Sequence, residues 1–297
     1  MAHGKQDFPE TLGDTEMSAR SNSYLGRIFV VLALFAGPAV ARADTGLDFP
    51  GSAAVSTTMR FRFSNPLAIY PATYIWEAFP RQQPSYFTTF FWSNDGNFGW
   101  DNGRPNTYIG AHPYPQSGPG GGSHRWEIAT DHGGDIVSPT PVEWDRWHTQ
   151  ALVAWEEPGG GKRTLFYWDL PDTSKVVDWT TASSYGNVNP PNPALTWGDA
   201  PWAPGNEVYN GILRAIRVYD TNLSLSDILS ESGAPLSTSD GANHIWYMNM
   251  NPTPTDIADK SGAGNNPAWV GSERPALYQS GTTVAVPNPP EDLTVVE

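Results

Sequence analysis

The sequence contains no cysteine among its 297 residues, which excludes disulfide frameworks and thiolate chemistry. Basic residues are also scarce, since 17 lysines and arginines stand against 31 aspartates and glutamates and give a formal net charge of −14. Binding to a phosphate backbone needs clustered lysine and arginine, so this balance argues against a nucleic-acid partner. An acidic chain is compatible with a neutral glycan, or with calcium, as a partner.

An apolar run long enough to cross a bilayer is missing as well. The run Ile28–Val40 is apolar, but a helix that spans a membrane needs about 20 residues. Two arginines precede the run, and the sequence Ala-Arg-Ala follows it at 41–43. This is the pattern of a secretory signal peptide with its cleavage site. We therefore expect a bacterial protein that is secreted or periplasmic through Sec-type export, with no integral membrane span after cleavage.

The residues before this run are acidic, which is unusual for the start of a signal peptide. A start at Met17 would instead give the basic sequence "MSARSNSYLGR". We expect residues 1–43 to form an N-terminal extension and signal peptide, with Met17 as the true start. The mature chain is then expected to begin near Asp44.

What the sequence has in abundance is glycine, proline and aromatic residues, with 29 Gly, 28 Pro and 13 Trp. This composition is typical of many short strands joined by turns. Met59, Phe61 and Phe63 alternate with two arginines, which is the period of a half-buried strand. Further strands are predicted at Ser85–Trp92, Trp147–Trp155, Arg163–Leu170, Gly211–Asp220 and His244–Met250. The alternation in the Gly211–Asp220 segment is interrupted around Arg214 and Ala215.

One convincing helix follows, in the segment "NLSLSDILSE" near residues 224–231. Ser224 or Ser226 is suited to the N-cap, and Leu225, Ile228 and Leu229 have the spacing of one helical face. One short helix among many strands predicts an all-β sandwich rather than a parallel α/β sheet.

Four segments together resemble the concanavalin A-like lectin/glucanase superfamily, and within it the laminin-G-like bacterial branch. "GILRAIRVYDTNLSLSDILSE" is similar to the branch's strand-then-turn signature, and "TGLDFPGSAAV" to its opening strand. "WDRWHTQALVAWEEPGGGKRTLFYWDL" is similar to its central hairpin, and "HIWYMNMNPTPTDIADKSGAGNNPAWVG" to its aromatic strand with a following turn.

The resemblance implies a jelly-roll β-sandwich of two antiparallel sheets over residues 44–286, followed by a proline-rich tail at 287–297. It also implies a glycan site on the concave sheet or its rim loops. The same fold carries lectins, adhesion modules, glycoside hydrolases and polysaccharide lyases, so the fold alone does not decide the function.

The segment 92–115 has the residues that a glycan site needs. Lectins of this fold stack sugars on aromatic rings and bind the hydroxyls with polar side chains. Trp92 ends a strand and is expected in the core. The candidate ligand-binding residues are Trp100, Asn102, Tyr108, His112 and Tyr114.

Catalytic candidates are Glu127, Asp131 and His112. On a strand, Glu127 and Asp131 share one face, which resembles the carboxylate row of laminarinase-type hydrolases. Ala129 occupies the middle position of that row, and the two α-carbons are about 13 Å apart, whereas a retaining glycosidase needs carboxyl groups about 5–5.5 Å apart. His112 with Tyr108 or Tyr114 is the alternative, a proton-transfer pair of the lyase kind.

Calcium prefers six to eight oxygen ligands, and two polar turns offer them. The candidates are Asp95, Asn97 and Asp101 in one turn and Asp259 in the other. The sequence thus predicts an exported lectin-like protein that binds a glycan or polysaccharide, with calcium as an optional ligand. A polysaccharide-cleaving enzyme and a structural envelope or adhesion module remain open, as does the oligomeric state.

Overall fold

The structure is a computed structural model, and it describes residues 45–51, 58–62, 71–82, 91–92, 109–115, 124–130, 136–181, 196–200, 204–233, 247–250 and 252–279. Within these residues the strands form two sheets, and every strand pair is antiparallel. The predicted all-β sandwich is thus confirmed.

The first sheet has eight strands among the described residues. Their order across the sheet is β10 (Val176–Thr181), β9 (Lys162–Leu170), β8 (His148–Glu156), β3 (Ala72–Pro80), β12 (Asn210–Tyr219), β1 (Thr45–Pro50) and β15 (Ala276–Gln279), and β13 (Tyr247–Met250) also pairs with β12. The predicted hairpin of "WHTQALVAW" and "RTLFYWDL" is the antiparallel pair β8–β9.

The second sheet has seven strands in the described ranges. Their order is β14 (Ala268–Val270), β2 (Arg60–Arg62), β11 (Thr196–Trp197), β4 (Phe91–Trp92), β5 (Ile109–Pro115), β6 (His124–Thr130) and β7 (Ile136–Pro141). We refer to the two sheets as the eight-stranded and the seven-stranded sheet.

Large aromatic side chains fill the space between the sheets. Trp76 of β3 and Trp197 of β11 are fully buried, and their ring centroids are 5.8 Å apart in an edge-to-face arrangement. The indole of Trp76 also donates a hydrogen bond of 2.8 Å to Gln150. Phe61 and Trp126 of the seven-stranded sheet belong to the same buried cluster. The side chains at alternate positions therefore face away from the core.

The helix α1 (Leu225–Gly233) lies on the outer face of the eight-stranded sheet. Its buried residue Ile228 belongs to a second apolar cluster with Ile75 of β3 and Val153 of β8. Ser224 is the N-cap, because its hydroxyl accepts a hydrogen bond of 3.2 Å from the amide of Asp227. The predicted helix is confirmed and ends two residues later than expected. Among the described residues, no helix has the length and apolar character that a membrane crossing requires.

Candidate functional site

The outer face of the seven-stranded sheet gathers several of the predicted site residues. Trp126, Trp197 and Phe61 point into the core, so their neighbours Glu127, Thr196 and Arg62 occupy positions on the opposite face. This assignment places the predicted catalytic candidate Glu127 on the outer face of the sheet.

The register of β5 and β6 brings three sequence candidates to this face. His112 is the partner of Glu127, and Tyr114 is the partner of Arg125. Directly opposite residues of an antiparallel pair share one face, with Cβ atoms about 4.5–5.5 Å apart. Positions 112, 114 and 127 are therefore neighbours on the sheet. The sequence alone had suggested Glu127 and His112 as members of two separate catalytic pairs.

Position 92 follows the same register, and the prediction that Trp92 lies in the core stays a prediction. Trp92 pairs with Thr196 on one side and with Gly110 on the other, whereas Phe91 pairs with the core residue Trp197.

Glu127 is 3% exposed, although its strand position faces away from the core. Next to it, the β6–β7 register shifts between Arg125 and Glu127. The hydroxyl of Ser138 accepts a hydrogen bond of 3.2 Å from the amide of Trp126 and donates one of 2.6 Å to the carbonyl of Thr140. Irregularities of this kind often lie beside functional sites and redirect side chains.

Two arginines lie on this face with different surroundings. Arg125 donates a hydrogen bond of 2.9 Å to the carbonyl of Ser138 and another to the carbonyl of Pro139. Arg62 is partly exposed, and no described residue forms a hydrogen bond or ion pair with it. Neither arginine was predicted as a site residue from the sequence. The alternation of Met59, Phe61 and Phe63 with two arginines was the available signal for Arg62.

The face therefore offers a carboxylate that accepts hydrogen bonds, an imidazole position opposite it, and a guanidinium that can donate. Such a set can bind the hydroxyls of a sugar, or it can move a proton between the imidazole and the carboxylate. The remaining candidates lie outside the described residues: Trp100, Asn102, Tyr108, Asp131, Asp95, Asn97 and Asp101.

Asp259, the remaining calcium candidate, closes a turn. Its carboxylate accepts hydrogen bonds from the amide of Ser261 at 2.8 Å, from the hydroxyl of Ser261 at 2.8 Å and from the amide of Asn265 at 3.0 Å. Among the described residues, no three histidine, aspartate or glutamate side chains form a group that could hold a metal ion. Calcium binding stays a prediction.

A second histidine–carboxylate pair, at His148, is structural. The ring nitrogen Nδ1 lies 3.2 Å from the carboxylate of Asp169, and Nε2 lies 2.7 Å from the carbonyl oxygen of Glu143. His148 is 1% exposed, and burial lowers its pKa. The ring packs edge-to-face against Trp126, with 5.3 Å between centroids, so both nitrogens face protein groups and no substrate could reach them.

Another buried carboxylate, Asp199, also lies away from the outer face. One of its oxygens accepts hydrogen bonds from the amides of Met59 at 3.3 Å and Gly205 at 2.7 Å. Its side chain is fully buried, and burial raises its pKa to about 6. These bonds tie the segment after β11 to the start of β2, which is a structural role.

Comparisons with known proteins give structural matches alone. No family model matches the sequence, and no curated protein matches it. A heptameric SAP-like pentraxin from Limulus polyphemus is 16% identical over 64% of this chain and 82% of its own, with a TM-score of 0.42. A putative carbohydrate binding protein from Bacteroides ovatus is 14% identical over 79% of this chain, with a TM-score of 0.48.

A third match is the CBM40 of Ruminococcus gnavus IT-sialidase, solved with α2,3-sialyllactose. It is 12% identical over 63% of this chain and 97% of its own, with a TM-score of 0.41. The present chain spans 60% of the Bacteroides protein. These identities and TM-scores concern the fold alone.

Proposed function

We propose that this chain is an exported carbohydrate-binding protein and that the outer face of its seven-stranded sheet is the glycan-binding surface. The observation that carries the proposal is the pairing of position 112 with Glu127 on that face. A carboxylate that accepts hydrogen bonds from the hydroxyls of a bound sugar gives both affinity and specificity, because charge-assisted hydrogen bonds are strong and directional.

The chain connectivity supports the proposal. Segment 93–108 joins β4 to β5, and both strands contribute positions to the outer face. The predicted ligand-binding residues Trp100, Asn102 and Tyr108 lie between these two strands in the sequence, outside the described residues. The predicted calcium ligands Asp95, Asn97 and Asp101 are in the same segment, so calcium assistance belongs to this proposal.

A second candidate function, cleavage of a polysaccharide, follows from the same pairing. A histidine and a glutamate at opposite register positions can act together as proton acceptor and donor. The Glu127–Asp131 and His112–tyrosine pairs considered from the sequence stay predictions, since Asp131 and Tyr108 lie outside the described residues. In this alternative, Glu127 and His112 are the catalytic residues.

The test is a glycan array with and without calcium, read for the full chain, for Glu127→Gln and for a matched control, Glu156→Gln. Glu156 is an exposed glutamate at the end of β8 on the other sheet. A charged hydrogen bond contributes about 1.5–3 kcal/mol, so Glu127→Gln should weaken binding to the best glycan by roughly ten- to a hundredfold. Glu156→Gln should bind as the unchanged chain does.

Release of reducing ends from the same glycans separates the two functions. Binding without release supports the lectin-like function, and release that stops in Glu127→Gln supports the enzyme. A chain that binds and cleaves nothing on a broad panel, or a folded Glu127→Gln that binds as tightly as the unchanged chain, contradicts the proposal. Thermal unfolding midpoints verify that each variant is folded.

A further inference from the structure

The outer face of the eight-stranded sheet has a cluster of three partly exposed aromatic rings. Phe79 lies on β3, Trp147 immediately precedes β8, and Tyr278 lies on β15. The centroid of the Trp147 ring is 5.5 Å from that of Phe79 and 5.5 Å from that of Tyr278, and both contacts are edge-to-face. We call Phe79, Trp147 and Tyr278 the aromatic platform.

A buried ion pair supports the platform from below. The guanidinium carbon of Arg214 lies 3.8 Å from the centroid of the Trp147 ring, so the guanidinium covers one face of the indole. The Nε of Arg214 donates a hydrogen bond of 2.7 Å to Glu77, and both residues are buried. Because the inner face of the indole rests on Arg214, its exposed part belongs to the outer face and edge.

Gly46 makes room for this arrangement. It lies between β12 and β15 in the sheet, as the partner of Tyr278. A Cβ atom at position 46 would lie 2.8 Å from the carbonyl oxygen of Leu213 and 3.0 Å from the Cβ of Arg214. Any larger residue would therefore press against the base of the Arg214 side chain and displace the support of the indole.

The charges around the platform cancel in pairs. Glu77 neutralises Arg214, and Arg81 makes two hydrogen bonds of 2.6 and 2.9 Å to the carboxylate of Asp48. Asp48 occupies the same outer face, since it pairs with Ile212, which in turn pairs with Phe79. The side chain of Arg81 is 33% exposed, so it supplies hydrogen-bond donors at the edge of the platform without a net local charge.

We infer that the aromatic platform is a second carbohydrate-binding site, which takes an uncharged hexopyranose unit of a glycan stacked on Trp147. The apolar C–H face of a pyranose ring covers the indole, while its hydroxyls meet the Arg81–Asp48 pair. The ring is already fixed by Arg214 and its two aromatic neighbours, so little side-chain entropy is lost on binding. The inference depends on the proposed function solely for the carbohydrate nature of the ligand, since its residues are all on the other sheet.

Trp155 provides a matched comparison within the chain. It is also partly exposed and lies on β8, with the guanidinium carbon of Arg163 at 5.3 Å from its ring centroid. Its indole nitrogen, however, donates a hydrogen bond of 3.1 Å to Glu157, and its ring packs against the apolar cluster under α1. Trp155 therefore has the arginine but not the aromatic platform, and we expect it to contribute nothing to sugar binding.

Affinity electrophoresis of the full chain tests this inference. Native gels would each contain one neutral polysaccharide: hydroxyethylcellulose, laminarin, xyloglucan or galactomannan. The proteins compared are the unchanged chain, Trp147→Ala, Trp155→Ala and Glu127→Gln. Because the sugar would stack on the indole face, Trp147→Ala should lower the association constant roughly three- to tenfold in the gel that retards the unchanged chain most. Trp155→Ala should leave it unchanged.

The outcomes separate the platform from the first site. Loss of retardation in Trp147→Ala, with Glu127→Gln unaffected, supports the platform as the site for that polysaccharide and leaves the outer-face site to the glycan array. Loss in Glu127→Gln with Trp147→Ala unaffected overturns the platform and leaves the proposed function intact. A chain that no gel retards overturns the platform, whereas the glycan array decides the proposed function.

Two further variants distinguish a loss of sugar binding from a loss of folding. Trp147→Phe keeps a ring at this position and should retain most of the retardation, with a thermal midpoint near that of the unchanged chain. Tyr278→Ala removes a ring from the edge strand and keeps both partners of the ion pair, although the guanidinium carbon of Arg214 lies 5.9 Å from the Tyr278 ring centroid. It should weaken retardation while the chain stays folded. Retention of full binding by both Trp147→Ala and Tyr278→Ala overturns the inference.

Discussion

Three acidic side chains are buried among the described residues, and each has different surroundings. Glu77 is paired with Arg214, Asp199 accepts two backbone hydrogen bonds, and Glu127 lies opposite position 112 on the outer face. A buried charge is costly unless it is paired and hydrogen-bonded. The three residues therefore have different expected effects on stability and function when they are replaced.

For Asp199, the structure predicts a pH-dependent stability. Burial raises its pKa to about 6, so the carboxyl group favours the folded state below pH 4, where it is protonated in both states. This contribution is lost as the pH rises through 6, and it amounts to about 3 kcal/mol, since one pKa unit corresponds to 1.36 kcal/mol. Asp199→Asn should remove this loss, because the amide oxygen can still accept from Met59 and Gly205.

The measurement is the free energy of unfolding from urea titrations between pH 4 and 8. The difference between Asp199→Asn and the unchanged chain should grow with pH in favour of the variant. Asp256→Asn serves as the control, because its hydrogen bond with Lys260 lowers the pKa of this exposed carboxylate, so it stays ionised throughout this range and the effect of its replacement should not change with pH. A pH-independent difference for Asp199→Asn would contradict the account.

The ion pair under the aromatic platform predicts strong coupling between two substitutions. Arg214→Met leaves the Glu77 carboxylate buried without its cation and should cost about 3–5 kcal/mol of stability. Adding Glu77→Leu should recover most of that loss, because apolar replacement of a whole buried pair is often neutral. A double-mutant cycle by urea unfolding measures the coupling, and simple addition of the two single effects would contradict it.

At the scale of elements, the break in alternation around Arg214 and Ala215 has a structural cause. The register between β12 and β3 shifts between Arg214 and Arg217, and Ala215 has a φ of 56°. A bulge inserts a residue and changes the phase of the strand, so that Arg214 and Arg217 are both on the outer face. The sequence showed where the phase breaks, but its consequence, an arginine beneath Trp147, required the pairing of distant strands.

Gly198, directly after β11, lies in close contact with the ring of Phe49 on β1. Gly198 has a φ of 103°, and a Cβ there would lie 2.3 Å from the ring of Phe49. Gly262 has a φ of 86° with no atom within 4 Å of its Cβ position. Both alanine variants should lose about 1–2 kcal/mol to the left-handed backbone, and Gly198→Ala should lose about 1–3 kcal/mol more to overpacking.

Thermal and urea unfolding of Gly198→Ala and Gly262→Ala side by side give that difference directly. If the two variants lose equal stability, the close packing of Phe49 against Gly198 is wrong.

On the scale of the whole molecule, the sequence was sufficient for the fold class and for several of the strands, but not for the central strand β3. Alternation and turn residues are local properties, and they located β8, β9, β12 and α1. The candidate sites depended on non-local information. His112 and Glu127 are joined by the β5–β6 register, and Trp147, Phe79 and Tyr278 meet because β3, β8 and β15 belong to one sheet. No local sequence pattern predicts these contacts, because the strands that make them are distant in the sequence.

The sandwich thus presents two candidate glycan surfaces on opposite sheets, one around position 112 and Glu127, the other on the aromatic platform. Two surfaces on one rigid module would let it engage two segments of a polysaccharide. The gain from such double engagement depends on whether the glycan can reach both faces at once.

The central claim is that a glycan binds beside His112 on the outer face of the seven-stranded sheet. The chain has six histidines, and the NMR resonances of their ring protons can be followed during titration with the best array glycan. The His112 resonance, assigned with His112→Gln, should shift on glycan addition, while that of the buried His148 should stay in place. Saturating glycan that leaves the His112 resonance unmoved would contradict the account.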